Sequence, residues 1–150
     1  MMYSIDPLHE HTVQSHQANK LLATLEPEDF ACLEPHLEIV NVQHGQVLCE
    51  MGDPIQYAYF PHNIIISLMA VMEDGRSAEM AIYGREGVTG LTAATVTDQS
   101  FGRYIVQLTG TASRIKIDTA QGARRTPQYP AADAAIYGGT DVAHSSNGGL

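Results

Sequence analysis

The stretch IIISLMAVMEDGRSAEMAIY, from Ile64 to Tyr83, decides the fold class of this chain. Two strand-like runs flank the sequence EDGR, and Asp-Gly between two such runs is the strongest short-range signal for a β-hairpin. Alternation in the second run predicts that one face of that strand is buried. The alternating sets are Ala78, Met80 and Ile82 against Glu79, Ala81 and Tyr83.

Similar short runs surround this hairpin. We expect further strands at Glu38–Gln43, Gln46–Glu50, Gln56–Phe60, Arg103–Thr109 and Thr111–Ile117. Short strands at close spacing, separated by Gly and Pro, are typical of a β-sandwich or β-barrel. Two short helices should precede them, because Pro27 suits the first turn of a helix and apolar residues follow at helical spacing.

The two ends of the chain differ in composition from its centre. Residues 1–16 are polar and read as a flexible leader, although His9, His11 and His16 leave a metal site open as an alternative. Residues 17–120 should form the folded domain. Residues 121–150 contain few large aliphatic side chains and several Pro and Gly, so we expect this tail to be largely disordered.

Composition and charge exclude several classes of function. The net charge is −9 and the eight Lys and Arg residues are scattered, so direct DNA binding is not expected. Cys32 and Cys49 are interpreted as buried small side chains, because two cysteines alone build neither an iron–sulfur nor a zinc site. No apolar run has the length of a membrane span and no secretory signal is present, so we expect a cytoplasmic protein.

The loop GREGVTGL, Gly84–Leu91, allows two interpretations. It could hold a ligand with the backbone N–H groups of Val88, Thr89 and Gly90, with Arg85 or Arg103 as counter-charge. Alternatively, Gly84 and Gly87 only supply positive-φ turns between strands. Three spaced glycines are a weak motif, so the second interpretation is preferred from these residues alone.

Enzymatic chemistry finds little support in the sequence. A cupin-like metalloenzyme would need His-x-His and a Glu on adjacent strands, but the only His-x-His, His9–His11, lies in the leader. No nucleophile motif is present, so we expect no enzyme, no cofactor and no bound metal. Tyr57, Tyr59 and Phe60 are interpreted as core and rim of a barrel, because basic neighbours that would accompany a base-stacking platform are missing.

The order of these elements resembles a known family. Two short helices, HGQVLCEMGDPIQYAYF (His44–Phe60), the Asp-Gly hairpin, GREGVTGL and two closing strands are similar to Crp/Fnr-type bacterial transcription regulators over about Asn19–Ala120. The resemblance implies a mainly β fold, a double-stranded β-helix (jelly roll) of the cyclic-nucleotide-binding type with short N-terminal flanking helices. In that family the barrel is a sensor domain, followed by a long dimerisation helix and a helix-turn-helix domain that binds DNA.

The glycine loop departs from the family members that bind cyclic AMP. Those members carry Gly-Glu-Leu, whose Glu binds the ribose, and a later Arg that pairs with the cyclic phosphate. Here the matching residues are Gly90, Leu91 and Thr92, so Leu91 replaces the carboxylate. The position of the Arg falls near Gly102, one step before Arg103, and one step in a strand reverses the face. We therefore expect that cyclic AMP does not bind in the conventional way.

Family members that sense redox state or oxygen through an N-terminal cysteine cluster are also excluded, because no cysteine precedes Cys32. The candidate ligand-binding residues implied by the resemblance are Arg85, Val88, Thr89, Gly90, Leu91, Thr92 and Arg103.

The tail is the second departure. Where the family has a leucine-rich helix, this chain has GARRTPQYPAADAAIYGGTDVAHSSNGGL, Gly122–Leu150. One permitted set of codons for this tail, read one base later, encodes a peptide with leucines at helical spacing. We hypothesise that a frameshift just after Ala120 replaced the dimerisation helix and removed the DNA-binding domain.

Together these observations predict an effector-sensing domain of a Crp/Fnr-like regulator, truncated before its DNA-binding domain. Its partner would be an unidentified small-molecule effector that could resemble a nucleotide, with neither DNA nor a membrane as a direct partner. Without the dimerisation helix there is no reason to expect a homodimer. A stand-alone ligand-binding or protein-interaction module and a cupin-like metalloenzyme are the alternatives.

Overall fold

A computed structural model of the chain describes residues 15–91 and 99–118. Most of the predicted leader and the whole of the predicted tail, with the frameshift hypothesis, lie outside the described residues. The predicted domain boundaries therefore stay predictions.

The described part of the chain begins with short helices. These are α1 (Lys20–Ala23), α2 (Pro27–Leu33) and a 3₁₀ helix (Glu34–His36). Asn19 caps α1, since its side-chain oxygen accepts a hydrogen bond from the Leu22 N–H at 3.1 Å. Pro27 lies in the first turn of α2, followed by the acidic residues Glu28 and Asp29, which complement the helix dipole. The predicted short flanking helices are confirmed.

The strands form two antiparallel sheets. Across the described residues they are β1 (Glu38–Val42), β2 (Val47–Cys49), β3 (Tyr57–Pro61), β4 (Ile66–Val71), β5 (Ser77–Tyr83), β6 (Arg103–Val106) and β7 (Gly110–Lys116). One sheet has the order β1-β7-β3 and the other β2-β6-β4-β5. The predicted mainly β jelly roll is confirmed.

The decisive hairpin is formed by β4 and β5. Val71 pairs with Ser77, and Gly75 at the turn has φ +87°, a conformation that favours glycine. The prediction of a buried face on β5 is wrong: Met80 is 38% exposed, and only the half-buried Ala81 and Tyr83 pack against the core. Two features explain the difference: among the described strands β5 pairs only with β4, and its register shifts opposite Leu68 and Met69.

The strand β3 serves two separate cores with its alternating side chains. Ala58 and Phe60 face the helices, in a helix-side core that also contains Leu22, Leu25, Phe30, Leu33, Ile55, Val88, Leu91, Ile115 and Ile117. Tyr59 faces the other sheet, in an inter-sheet core with Val42, Ile64, Ile66, Leu68, Tyr104, Val106 and Ala112. Each face of β3 is therefore covered, by the helices on one side and by the second sheet on the other.

A buried polar chain joins the N-terminal segment to this sheet. The Ser113 hydroxyl lies 2.5 Å from His16 Nδ1 and 2.7 Å from His62 Nε2, and His62 Nδ1 lies 3.0 Å from the Thr111 hydroxyl. The polar sequence assigns His16 to the mobile leader, but its side chain is only 1% exposed. That assignment is wrong for His16, because the hydrogen bond to Ser113 and a tilted contact with the Phe30 ring hold it in place.

Burial lowers the pKa of both histidines, and the neighbouring His16 contributes to lowering the pKa of His62 to about 4. A nearby carboxylate, Glu34, opposes the effect of burial on the pKa of His16. Both imidazoles are therefore neutral at neutral pH, when each has one donor and one acceptor nitrogen for the hydroxyls around it.

These shifts predict acid destabilisation of the domain. Between pH 6.5 and pH 4 the unfolded chain takes up a proton at His62 that the folded chain does not. The free energy of unfolding should therefore fall as the pH is lowered through this window, by up to about 3 kcal/mol for this group. Urea titrations at a series of pH values would measure this, with His62→Gln expected to flatten the slope. The exposed His36→Gln is the control, and a slope unchanged in His62→Gln would contradict the assignment.

Candidate functional site

The glycine loop, residues 84–91, begins with a turn that is closed by a backbone hydrogen bond. The Gly87 N–H donates to the Gly84 carbonyl at 3.1 Å. Val88 and Leu91 are buried in the helix-side core. Two of the predicted ligand-binding residues therefore pack between the loop and the helices.

Thr89 is joined to the backbone of β3 by two hydrogen bonds. Its N–H donates to the Tyr59 carbonyl at 3.0 Å, and its hydroxyl accepts from the Tyr59 N–H at 3.2 Å. The residue is 2% exposed. Its backbone donor is consequently used within the protein and is not free to hold an anion.

Gly90 is the position in this loop where the backbone requires glycine. Its φ is +88°, and a Cβ atom there would lie 3.1 Å from Ile55 Cγ2 and 3.4 Å from the Tyr57 carbonyl oxygen. The sequence pattern predicts positive φ at Gly84 and Gly87 instead, which is wrong. The pairing of Thr89 with Tyr59 explains why the positive φ falls at Gly90, because it brings Gly90 against the start of β3.

The same loop is tied to the first helix. The Asn19 amide donates to the Gly87 carbonyl at 3.0 Å and to the Pro61 carbonyl at 2.9 Å. The Lys20 N–H donates to the Arg85 carbonyl at 2.6 Å, and Lys20 Nζ lies 3.6 Å from a Glu86 carboxylate oxygen. The loop therefore connects β3 to α1 through the buried side chain of Asn19.

The other predicted site residues lie apart from these. Arg85 is exposed. Arg103 Nε lies 2.8 Å from Glu50 Oε1, and this hydrogen bond lowers the pKa of the Glu50 carboxyl. Because Tyr104 faces the inter-sheet core, Arg103 faces outward. Thr92 lies outside the described residues, and the assignment of all these residues to ligand binding stays a prediction.

A cavity of about 210 Å³ opens between the ends of the sheets. It is lined by Leu48, Cys49, Asp53, Pro54, Gln56, Tyr57 and Tyr59. A smaller hollow of about 10 Å³, with room for about one water molecule, shares Leu48, Cys49, Tyr57 and Tyr59 and is completed by Ile55, Thr89, Gly90 and Tyr104. The cavity and this hollow together are called the ligand cavity below, and Thr89 and Gly90 line the hollow only.

The titratable side chains of Cys49 and Tyr104, in the inner part of the ligand cavity, are uncharged at neutral pH. Burial raises the pKa of the Cys49 thiol, and burial together with Tyr83 raises the pKa of Tyr104, so both groups stay protonated at neutral pH. Arg114 shares the inner face with Tyr59, its partner across the ladder, and its guanidinium lies 4.2 Å above the centre of the Tyr57 ring. Glu38 neutralises this cation at 2.9 Å, and their hydrogen bond raises the pKa of Arg114.

Sequence reasoning missed most of this cavity. It placed Tyr57 and Tyr59 on the core and rim of a barrel but did not connect them with Cys49, Asp53 or Arg114. One signal was present, because alternation puts Tyr57 and Tyr59 on one face of β3. Asp53 could not be assigned to the cavity in this way, since it lies in a turn, where side chains do not alternate between two faces.

Two further properties concern the described residues as a whole. Within residues 15–91 and 99–118, no group of three or more His, Cys, Asp or Glu side chains could hold a metal ion. Among the same residues, no helix combines the length and apolar character needed to cross a bilayer.

Comparison with known proteins places the fold. No family model and no curated protein matches the chain. The N-terminal domain of a transcriptional regulator from Streptomyces coelicolor A3(2) is similar in structure, with a TM-score of 0.62 and 19% identity, covering 85% of this chain and 87% of that one. The sensor domain of the transcriptional regulator DNR from Pseudomonas aeruginosa gives a TM-score of 0.64 at 14% identity, covering 85% and 83%.

A third similar structure is a cyclic-AMP-bound protein, PfPKA-R, with a TM-score of 0.64 and 13% identity over 81% of this chain. The fold of this chain is similar to that of this cyclic-AMP-bound protein. The fold implied by the resemblance is thereby confirmed. The chain spans only 43% of the PfPKA-R chain, so it corresponds to a part of that protein.

Asn19 should be essential for the link between α1 and the loop. Asn19→Ala removes three buried hydrogen bonds and should lower the free energy of unfolding by about 2–4 kcal/mol. Asn19→Asp keeps the cap of α1 but cannot donate to Pro61 and Gly87, so it should destabilise at least as much. Urea unfolding measures both, with the exposed Thr24→Ala expected within about 0.5 kcal/mol of the parent chain. Full stability of Asn19→Asp would show that the link is dispensable.

Gly90 and Gly45 offer a matched pair for the loop. Both have positive φ, but a Cβ at Gly45 would meet open space. Gly45→Ala should therefore cost about 1–2 kcal/mol from backbone strain alone. Gly90→Ala should cost more, because Ile55 and the Tyr57 backbone must also shift. Equal losses in thermal or urea unfolding would contradict the close packing described for Gly90.

Proposed function

We propose that this chain is a ligand-sensing domain in which a small molecule binds in the ligand cavity between the sheets. The observation that carries the proposal is the position of Thr89 and Gly90, which line the inner end of the cavity and belong to the loop that is tied to α1. A cavity in contact with a connecting loop is the arrangement that a sensor requires, since occupancy must change something outside the site.

Contacts that would transmit occupancy run through the backbone of β3. A ligand against Tyr59 bears on the residue whose N–H and carbonyl both bond to Thr89. Asn19 then bonds to the neighbouring Gly87 and caps α1. A ligand that favours one position of β3 would shift the population of loop and helix positions together.

We further propose that the output is regulation of transcription. Support comes from the two similar structures that are parts of transcriptional regulators. Contact with DNA is assigned to another module, because four of the cations in the described residues are paired with carboxylates. These pairs are Lys20–Glu86, Arg76–Asp74, Arg103–Glu50 and Arg114–Glu38.

Cyclic AMP is not expected to bind in the conventional way. Leu91, at the position of the ribose-binding carboxylate, is fully buried in the helix-side core. Arg103, next to the position of the phosphate-binding arginine, faces outward and pairs with Glu50. Neither charged contact that the resemblance implies is thus available in the described residues.

An NMR titration tests whether the ligand cavity binds small molecules. A set of nucleosides, cyclic nucleotides, phenols and indoles would be added to the isotopically labelled chain. Binders should shift the amide signals of residues 48–59 and 88–91 first. Leu48→Trp and Gln56→Trp narrow the cavity and should weaken binding at least about tenfold, because they occupy the space of the ligand.

The control for these variants is Leu108→Trp, at a side chain that is 50% exposed and outside the cavity lining. Its affinities should match those of the parent chain. Shifts scattered over the surface, or binding that survives in both cavity variants, would contradict the proposed function.

A further inference from the structure

We propose that the ligand is a compact aromatic molecule of one or two rings with no anionic group, and that a positive charge on it strengthens binding through Asp53. This inference rests on the proposed function and gives the chemical class of its ligand. It follows from the size, the lining and the charge of the ligand cavity.

Size limits the ligand to few atoms. The main cavity measures about 210 Å³. A cavity of roughly 150 Å³ holds one benzene molecule, whereas sites for larger ligands typically measure about 300–1,000 Å³. The space therefore suits a ring system slightly larger than benzene with a short substituent.

Aromatic side chains line the cavity on one wall. The Tyr57 and Tyr59 rings lie 6.3 Å apart at 54°, a tilted arrangement against which a further ring can pack. The guanidinium of Arg114 already lies on the Tyr57 ring, so this wall accommodates a planar cation in the protein itself. Leu48 and Pro54 are apolar residues of the same lining.

The charge of the described lining disfavours an anion. Asp53 is the one charged residue in the described lining, and two backbone hydrogen bonds between its turn and Ser100 hold it there. Among the described lining residues, a phosphate would therefore meet a carboxylate and no Lys, Arg or His side chain.

Arg103 and Arg114, which lie on strands of the two sheets, do not supply a free positive charge. Arg103 lies on the outer face with Glu50, and Arg114 is neutralised by Glu38. The backbone N–H of Thr89 is bonded to the Tyr59 carbonyl. An anionic ligand that used Arg103, Arg114 or this N–H would have to displace its partner, while an amine would gain the attraction of the Asp53 carboxylate.

Three phenols of almost equal size and different charge test the proposal. Calorimetric titration of the full chain would use tyramine, a cation, tyrosol, which is neutral, and phloretate, an anion, with cyclic AMP alongside. Tyramine should bind up to about fivefold more tightly than tyrosol, the range expected for an ion pair with the exposed Asp53. Phloretate and cyclic AMP should bind more weakly than tyrosol or not at all.

Substitution of the carboxylate isolates its contribution. Asp53→Asn should abolish the advantage of tyramine over tyrosol. The control is Asp74→Asn, which neutralises an exposed aspartate in the β4–β5 hairpin and should preserve the order of the three phenols. An advantage of tyramine that persists in Asp53→Asn would overturn the role of Asp53.

The outcomes separate this inference from the proposed function. If phloretate or cyclic AMP binds more tightly than tyrosol, and this binding is lost in Leu48→Trp and Gln56→Trp, the proposed ligand class is wrong. The cavity is then still the binding site. Loss of such binding in Arg114→Gln would then identify Arg114 as the anion contact. If none of the phenols binds, the ligand class is wrong, and the wider NMR set decides on the cavity. Binding of any of them that survives in both cavity variants overturns both.

Discussion

The pairing of Thr89 with Tyr59 is the constraint on which the rest of the site depends. Two hydrogen bonds fix the loop to the middle of β3, and the strand has a core on each of its faces. Because Thr89 is held there, Gly90 must adopt positive φ beside Ile55, and Gly87 lies where Asn19 can reach it. One short backbone contact thus defines the inner end of the cavity and the attachment of the first helix.

Most of the fold could be predicted from the sequence, because its signals are local. Asp74-Gly75 between two strand-like runs places the hairpin, and Pro27 followed by two acidic residues places the start of α2. The face of β5 could not be predicted, since a register shift opposite Leu68 and Met69 and the edge position of the strand override its alternation. Nor could the burial of His16, which depends on Ser113, far away in the sequence.

The candidate site was less accessible to sequence reasoning than the fold. The glycine loop points to the right region, but the use of its donors is decided by β3 and α1, which are distant in sequence. The cavity is assembled from a turn at Asp53, a strand at Tyr57 and Tyr59, and a loop at Thr89. Arg114 was missed because its role arises from ladder pairing with Tyr59 and stacking on Tyr57.

The most direct test of this account is native-state amide exchange in Thr89→Val. The substitution removes the hydroxyl that accepts from the Tyr59 N–H and preserves the size of the side chain. If the pairing holds loop and helix together, protection should fall together at Tyr59, at Lys20, whose N–H bonds to Arg85, and at Leu22 in α1. Loss of protection confined to Tyr59, with α1 as protected as before, would contradict the account.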